Sequence, residues 1–470
     1  MAYRPEDHGT GIVHIGVGAF HKAHQAVYTD TAIAAKGGDW RILGVSLRST
    51  EVAATLNPQG GRYTLVTRDE KGDHARIIGS IAKVIVAPHS HEAVIAAIAD
   101  SSTKIVTLTV TEKAYGIDRA SGGLDVEHPA IAHDLTDPDA PTGVVGFLVA
   151  GLKRRMETAG GALTILCCDN LPENGKIVSQ LVLDFSRRTD ALPEEWISQN
   201  VRFPSSMVDR ITPASTPRTF ADAESLTGYS DNAAVETEPF TQWVIEDDFT
   251  AGRPAWEAGG ALFVKDVTPY EKMKLRLLNG THSLLAYAGF LAGHETISEA
   301  VCDASLARLA ERQMIAAANT LPPIPGIDRY RAELLERFSN KAIRHLTYQI
   351  AMDGTEKLPQ RILAPLAETV VNGGDTRPFC FAIAAWMRYC LGVTDNGNVY
   401  NLRDPRQDII AAHVASCGRD ADRLYDKLSE IAGLLPGEPG SNQNVRSKVI
   451  ADLQLMLDKG MVQAIRTLAK

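Results

Sequence analysis

Lys274, Asn279 and His282 fall within nine residues, in Lys274-Leu275-Arg276-Leu277-Leu278-Asn279-Gly280-Thr281-His282. At about 100° per residue of α-helix, His282 lies about 60° from Asn279 and about 80° from Lys274. The three side chains are therefore expected to address one cavity from successive turns. A lysine desolvated there has its pKa drawn toward neutrality and can act as general base or acid. Asn279 can donate to a developing alkoxide, and His282 can hold a hydroxyl. Singly, each has a plainer explanation: a surface charge, a helix irregularity before Gly280, a satisfied core histidine. Together they suit proton transfer at an alcohol oxygen. Thr268-Pro269-Tyr270-Glu271 supplies the helix start, with Thr268 as cap, Pro269 at the first helical position and Glu271 three residues after the cap.

A second constellation lies near the beginning. Ile12 to Val17 reads as a strand running into Gly16 and Gly18, with Ala19, Phe20 and His21 opening a helix. Two glycines let the backbone approach a pyrophosphate at a helix N-terminus, where free N–H groups favour an anion. His21 replaces the third glycine of the usual dinucleotide fingerprint, so an ordinary tight turn stays open as a reading. After the next strand, Arg41 to Leu47, an acidic residue would bind the adenosine ribose diol. Arg48, Ser49, Thr50 and Glu51 stand there. Glu51 would repel a 2′-phosphate and Arg48 would attract one. Asn170, past the strand Ala162 to Cys168, either faces a ligand or, with Asp169, caps the next helix. Asp209 and Arg210 are either a structural ion pair or site residues.

These positions need elements to hold them. The first half alternates short apolar runs (Ile12 to Val17, Arg41 to Leu47, Ile77 to Val86, Lys104 to Val110, Ala162 to Cys168) with helical patterns such as Ala19 to Ala35 and His91 to Ala99. That rhythm predicts an α/β fold with a mainly parallel sheet. Pro204 to Pro254 reads as loops and edge strands. From Thr268 the pattern becomes helical: Tyr270 to Gly293, Glu299 to Thr320, Tyr330 to Phe338, Leu363 to Asn372, Arg377 to Leu391 and two closing helices. We therefore expect one domain over 1–265 and a mostly helical one over 266–470.

With 470 residues, 44% of them hydrophobic, and a net charge of -9, the chain can build two packed cores and would repel a phosphate backbone, so nucleic acid is a poor partner. No run approaches the roughly 18 apolar residues of a membrane span, and the start has no apolar signal core, so a cytoplasmic location is expected. Six cysteines without C-x-x-C spacing read as buried thiols. His21 with His24, or His89 with His91, have no companion ligands at suitable spacing, so no metal is expected. G-x-S-x-G and P-loop signatures are missing.

GVGAFHKAHQAVYTD (Gly16 to Asp30), CDNLPENG (Cys168 to Gly175), MVDRITP (Met207 to Pro213) and KLRLLNGTHS (Lys274 to Ser283) resemble the mannitol dehydrogenase family of long-chain polyol dehydrogenases over nearly the whole chain. The resemblance implies a zinc-independent NAD(P) oxidoreductase with a Rossmann-like N-terminal domain and a largely helical C-terminal one. It implies Lys274 as general base, Asn170 and Asn279 as the alkoxide-stabilising pair, His282 as substrate-orienting group, Asp209 as substrate contact and Glu271 on a proton path. Gly16, Gly18, Ala19, Phe20, Arg48 and Glu51 then hold the cofactor, NAD rather than NADP, although Thr50 departs from the acidic Arg-Ser-Glu-Asp of NAD-preferring members. VTEKAYGIDRASGGLD, EPFTQWVIEDDF and RHLTYQIAMDGTEKLPQR look closest to fructuronate reductases, whose substrate carboxylate needs a cation such as Arg361 or Lys357. The implied reaction is D-fructuronate with NADH to D-mannonate. The alternatives are a polyol dehydrogenase for mannitol, sorbitol or arabinitol, and a nucleotide-binding sensor without turnover. The implied assembly is a monomer or weak homo-oligomer.

Overall fold

A computed structural model describes residues 1–118, 121–431, 434 and 438–470. They form two compact units, Met1–Thr268 and Pro269–Lys470.

In the first unit, six strands make one parallel sheet: β1 (Thr10–Ile15), β2 (Arg41–Ser46), β3 (Ile81–Val86), β4 (Ile105–Leu108), β5 (Leu163–Cys167) and β6 (Val201–Arg202). Their spatial order is β3-β2-β1-β4-β5-β6. Every residue of β4 and β5 is buried, as strands covered by helices on both faces must be. This is the dinucleotide-binding order, and the direction of winding reverses between β1 and β4, where ligands of such sheets sit at the carboxyl ends of the strands.

The strand expected over Ile77 to Val86 is two strands. His74–Ile78 belongs to a separate three-stranded sheet with Tyr63–Thr67 and Val235–Thr237, whereas Ile81–Val86 is β3. Asp30 holds the bend, accepting from the Gly79 N–H and the Tyr3 hydroxyl, both at 2.8 Å. The helix expected over Ala19 to Ala35 is also divided, into α1 (Ala19–Ala23) and α2 (Gln25–Lys36), because His24 leaves helical geometry at φ -122°, ψ -92°. The region after Pro204 holds the expected strands β7 (Ser206–Asp209) and β8 (Gln242–Glu246), which pair antiparallel. It also holds an unexpected helix, Pro217–Thr227, closed by a capping box between Thr216 and Thr219 with Pro217 in its first turn. Of the six cysteines, Cys302 alone is exposed and the others are buried.

The second unit is helical. Its centre is the helix Gly280–Ala292, buried at every residue from Gly280 to Gly289 and packed against Ala304–Ala318 and Arg377–Tyr389. A helix covered on all sides takes this central place, most of its length from Leu284 onward being apolar. The expected Glu299 to Thr320 helix is broken at Asp303 into Ile297–Cys302 and Ala304–Ala318, Asp303 capping the second through Oδ1. Among the described residues, no helix is long and apolar enough to cross a membrane.

Candidate active site

In the first unit the loops after β1, β4 and β5 share one edge of the sheet and are tied together. Gly16 follows β1 at φ +100°, and a Cβ there would run into the Thr109 carbonyl, so both conformation and space call for glycine. At Gly18 a Cβ would meet nothing closer than 3.9 Å, which leaves room above the turn. Ala19 and Phe20 begin α1 behind it. The turn is braced from below: His14 contacts the hydroxyls of Thr107 (2.8 Å) and Thr109 (2.9 Å), and the Thr109 hydroxyl donates to the Gly16 carbonyl at 2.9 Å. His14 stacks on His21 with ring centres 3.4 Å apart. Burial lowers both histidine pKa values, that of His14 to about 3, so both rings are neutral near pH 7.

Past β2, Arg48 and Glu51 are exposed; Glu51 opens the short helix Glu51–Leu56, and its N–H donates to the Ser49 hydroxyl at 3.1 Å. Asn170 stands exposed just past β5. Neither Asp169 nor Asn170 caps the following helix, Asn174–Thr189, whose cap position is Glu173. Asp209 is buried at the end of β7. Arg210 turns its guanidinium to the carbonyls of Ala23 and Glu238.

In the second unit the helix carrying Lys274 is not a continuous α-helix. Thr268–Met273 is α-helical, Lys274–Asn279 is π-helical and Gly280–Ala292 is α-helical again. The Gly280 N–H bonds to the Leu275 carbonyl, five residues back. An α-wheel puts Lys274 and Asn279 about 140° apart, a separation that undercuts the single-cavity expectation. The i→i+5 turn removes it by stacking residues five apart. Lys274 and Asn279 are half-buried, and Glu271 is buried one turn earlier.

A second π segment, Pro359–Leu363, packs against the first. Gly280 permits the approach, since a Cβ there would lie 2.8 Å from the Arg361 carbonyl oxygen. Arg361 is half-buried; its guanidinium donates to the Ser283 hydroxyl at 3.3 Å and, at the limit of bonding, to the Asn279 carbonyl at 3.5 Å. No carboxylate lies within ion-pair distance of it among the described residues. Burial lowers its pKa and Tyr287 and Asp353 oppose that shift. Lys357 has a different environment: its ammonium donates to the Met352 carbonyl at 2.6 Å and the Ile350 carbonyl at 3.4 Å, with Asp353 at 3.6 Å. His282 is buried against Phe338 (4.6 Å between ring centres) and His345 (5.3 Å). Desolvation, then His345, Arg337 and Arg361, lower its pKa, so the ring is neutral and offers one donor and one acceptor.

The second unit thus carries Lys274, Asn279 and Arg361 on two abutting π segments, with His282 in the first turn of the α-helix that continues the first of them. Gly16, Gly18, Ala19, Phe20, Arg48, Glu51, Asn170 and Asp209 lie in the first unit. Residues 10–258 match the mannitol dehydrogenase Rossmann domain and residues 266–449 the mannitol dehydrogenase C-terminal domain. The chain belongs to the mannitol dehydrogenase family. It is a nicotinamide-dinucleotide-dependent oxidoreductase acting on CH–OH groups.

Within this family, the chain is 40% identical over 471 residues to the D-mannonate oxidoreductase of Escherichia coli K12, covering 97% of this chain and 95% of that protein. The mannitol 2-dehydrogenase of Pseudomonas fluorescens, solved with NAD and D-mannitol, superposes with a TM-score of 0.82 at 35% identity over 99% of this chain and 96% of that one. A substrate-free D-sorbitol dehydrogenase superposes with a TM-score of 0.91 at 30% identity, covering 98% of this chain and 96% of that one.

Sequence reasoning passed over Ser283, Phe338, His345 and both π segments, and weighed Asp169 only as a helix cap beside Asn170. Ser283 follows His282 directly and was open to notice. The π segments carry no signature that periodicity detects, because one inserted residue shifts the apolar face without ending the helix.

Proposed function

We propose that the chain interconverts D-fructuronate and D-mannonate with NAD(H). The observation that carries this reading is Arg361, a half-buried cation without a carboxylate partner among the described residues, bonded to the residue beside His282. A buried cation lacking an anion is costly, and a substrate carboxylate offsets that cost with charge-assisted hydrogen bonds. Its relative named D-mannonate oxidoreductase supports the same substrate class. Arg361 is the better candidate than Lys357, whose ammonium already donates to two carbonyls.

The turn at Gly16 and Gly18 suits a dinucleotide: the backbone is open above Gly18, and the turn ends β1 beside the reversal in strand order. NAD(H) supplies or accepts the hydride when bound. In reduction, the Lys274 ammonium gives its proton to the ketone oxygen as negative charge develops there; in oxidation, the neutral amine takes the hydroxyl proton. Asn279, with no side-chain hydrogen bond among the described residues, donates to that oxygen. Asn170 is its partner amide in this reading. Neutral donors stabilise an alkoxide without trapping it as an ion pair would. His282, neutral, fixes a neighbouring hydroxyl, Asp209 is a further substrate contact, and Glu271 passes protons toward Lys274. Glu51 favours NAD over NADP. The substrates and products are cytoplasmic metabolites in this reading.

A neutral polyol is the second reading, favoured by the likeness to mannitol 2-dehydrogenase and D-sorbitol dehydrogenase. NADH oxidation with fructuronate, tagaturonate, fructose and xylulose separates the two. Fructuronate should give the highest kcat/KM, and Arg361→Met should lower that value about 10- to 100-fold while sparing any fructose activity. Equal losses on charged and uncharged ketoses would show that Arg361 does not read the carboxylate.

A further inference from the structure

We propose that Asp169 is a positioning residue for the reaction: its carboxylate clamps the Val110–Thr111 turn to the residue that carries Asn170. This rests on the reading of Asn170 as an alkoxide donor. Asp169 leaves β5 and meets the end of β4 alongside. Its Oδ2 accepts from the Val110 N–H at 2.9 Å and the Tyr115 hydroxyl at 2.7 Å, and its Oδ1 from the Thr111 N–H at 3.2 Å. Its own carbonyl accepts from the Leu171 N–H at 2.9 Å and the Asn174 carboxamide at 3.0 Å. Asn174 in turn clasps the Ser206 backbone, accepting from its N–H at 2.9 Å and donating to its carbonyl at 2.8 Å. The residue before Asn170 is therefore fixed through both side chain and main chain, to three segments of the sheet edge.

Two further features separate this clamp from an ordinary loop bond. Thr111 is held at φ 75°, ψ 149°, a conformation that a residue with a side chain adopts only when its surroundings impose it, and such residues cluster at functional sites. Three donors and no acceptor converge on the two oxygens. Only a carboxylate, which accepts and never donates when ionised, satisfies that set. Asparagine in its place would point an N–H₂ at the Val110 and Tyr115 donors or at the Thr111 N–H. The Asp169 pKa is raised by burial, and the three donors, which favour the ionised form, oppose that rise.

The test is a double-mutant cycle on Asp169→Asn and Asn170→Ala, read by kcat under saturating substrate and by NADH affinity. If Asp169 acts by placing Asn170, D169N should lower kcat about 10-fold or more in the wild-type background and less than about 2-fold once Asn170 is alanine. NADH affinity should change little in either. Equal losses in both backgrounds, or no loss in either, would overturn the proposal. Asn170→Ala with an undiminished kcat would instead remove Asn170 from the chemistry, and this inference with it. Should D169N not fold, Tyr115→Phe withdraws one donor and leaves the carboxylate. It should cost about 3-fold with Asn170 present and nothing without it, and an equal cost in both backgrounds again refutes the clamp.

Discussion

Lys274 and Asn279 open and close one π-helical segment, so two residues that an α-helix would separate by about 140° stack a single turn apart. The base and the amide donor of the proposed site are placed by this departure from regular geometry. Lys274→Ala should therefore collapse turnover in both directions, by roughly 10² to 10⁴ as for loss of a general acid–base group, with NADH affinity nearly unchanged. Single-turnover and equilibrium binding measurements check this. A variant with more than about half the wild-type turnover would take Lys274 out of the mechanism.

Gly280 lies where the two π segments meet, 2.8 Å from the Arg361 carbonyl measured from an added Cβ. Its φ of -63° is ordinary, so the demand for glycine is one of space, not of conformation. Gly280→Ala should gain slightly in helix propensity yet push Arg361 and Asn279 apart. The expected outcome is a kcat/KM for fructuronate lowered about 10-fold or more, with the melting temperature within a few degrees of wild type. Unchanged kinetics would show that the segments yield without consequence.

Glu51, exposed at the first position of the helix after β2, is the group expected to discriminate against a 2′-phosphate. The wild-type enzyme should prefer NADH, and Glu51→Ala should narrow the gap by raising kcat/KM for NADPH. If NADPH is already the better coenzyme, Arg48, three residues earlier and also exposed, sets the preference.

Stability should fall in mild acid through the buried histidines. His14 in the folded chain takes up a proton only at about pH 3, whereas the unfolded chain does so near 6.5. Between those values the unfolded state binds more protons, so the contribution is fully present above about pH 6.5 and lost as pH falls toward 3. Its slope reaches about 1.4 kcal/mol per pH unit. His21 and His282 act in the same direction. Urea unfolding between pH 7.5 and 5, above most carboxylate titration, should show this slope, and His14→Asn should reduce it. A midpoint flat across that window would show that these rings are not held neutral.

The alternation of apolar runs and helical patterns, read from sequence alone, led to the parallel sheet and the helical second half because strands buried on both faces must be continuously apolar. Gly16 was legible for a similar reason: a positive φ and the Thr109 carbonyl together leave no other residue a place. Lys274, Asn279, His282 and Asn170 were singled out as candidates by residue type and motif. Their relative placement was not, because it depends on hydrogen bonds whose partners are distant in the chain or whose register is irregular. The π turn at Lys274–Asn279 is one case. The contact of Arg361 with Ser283, across 78 residues, is another, as are the bonds from Asp169 to Val110 and Thr111, across 59 and 58. Periodicity reports which face of an element is apolar, a property of neighbours along the chain. That Arg361 meets no carboxylate among the described residues, and that the half-buried Asp169 carboxylate holds the Val110–Thr111 turn, are decided only when packing has brought the segments together.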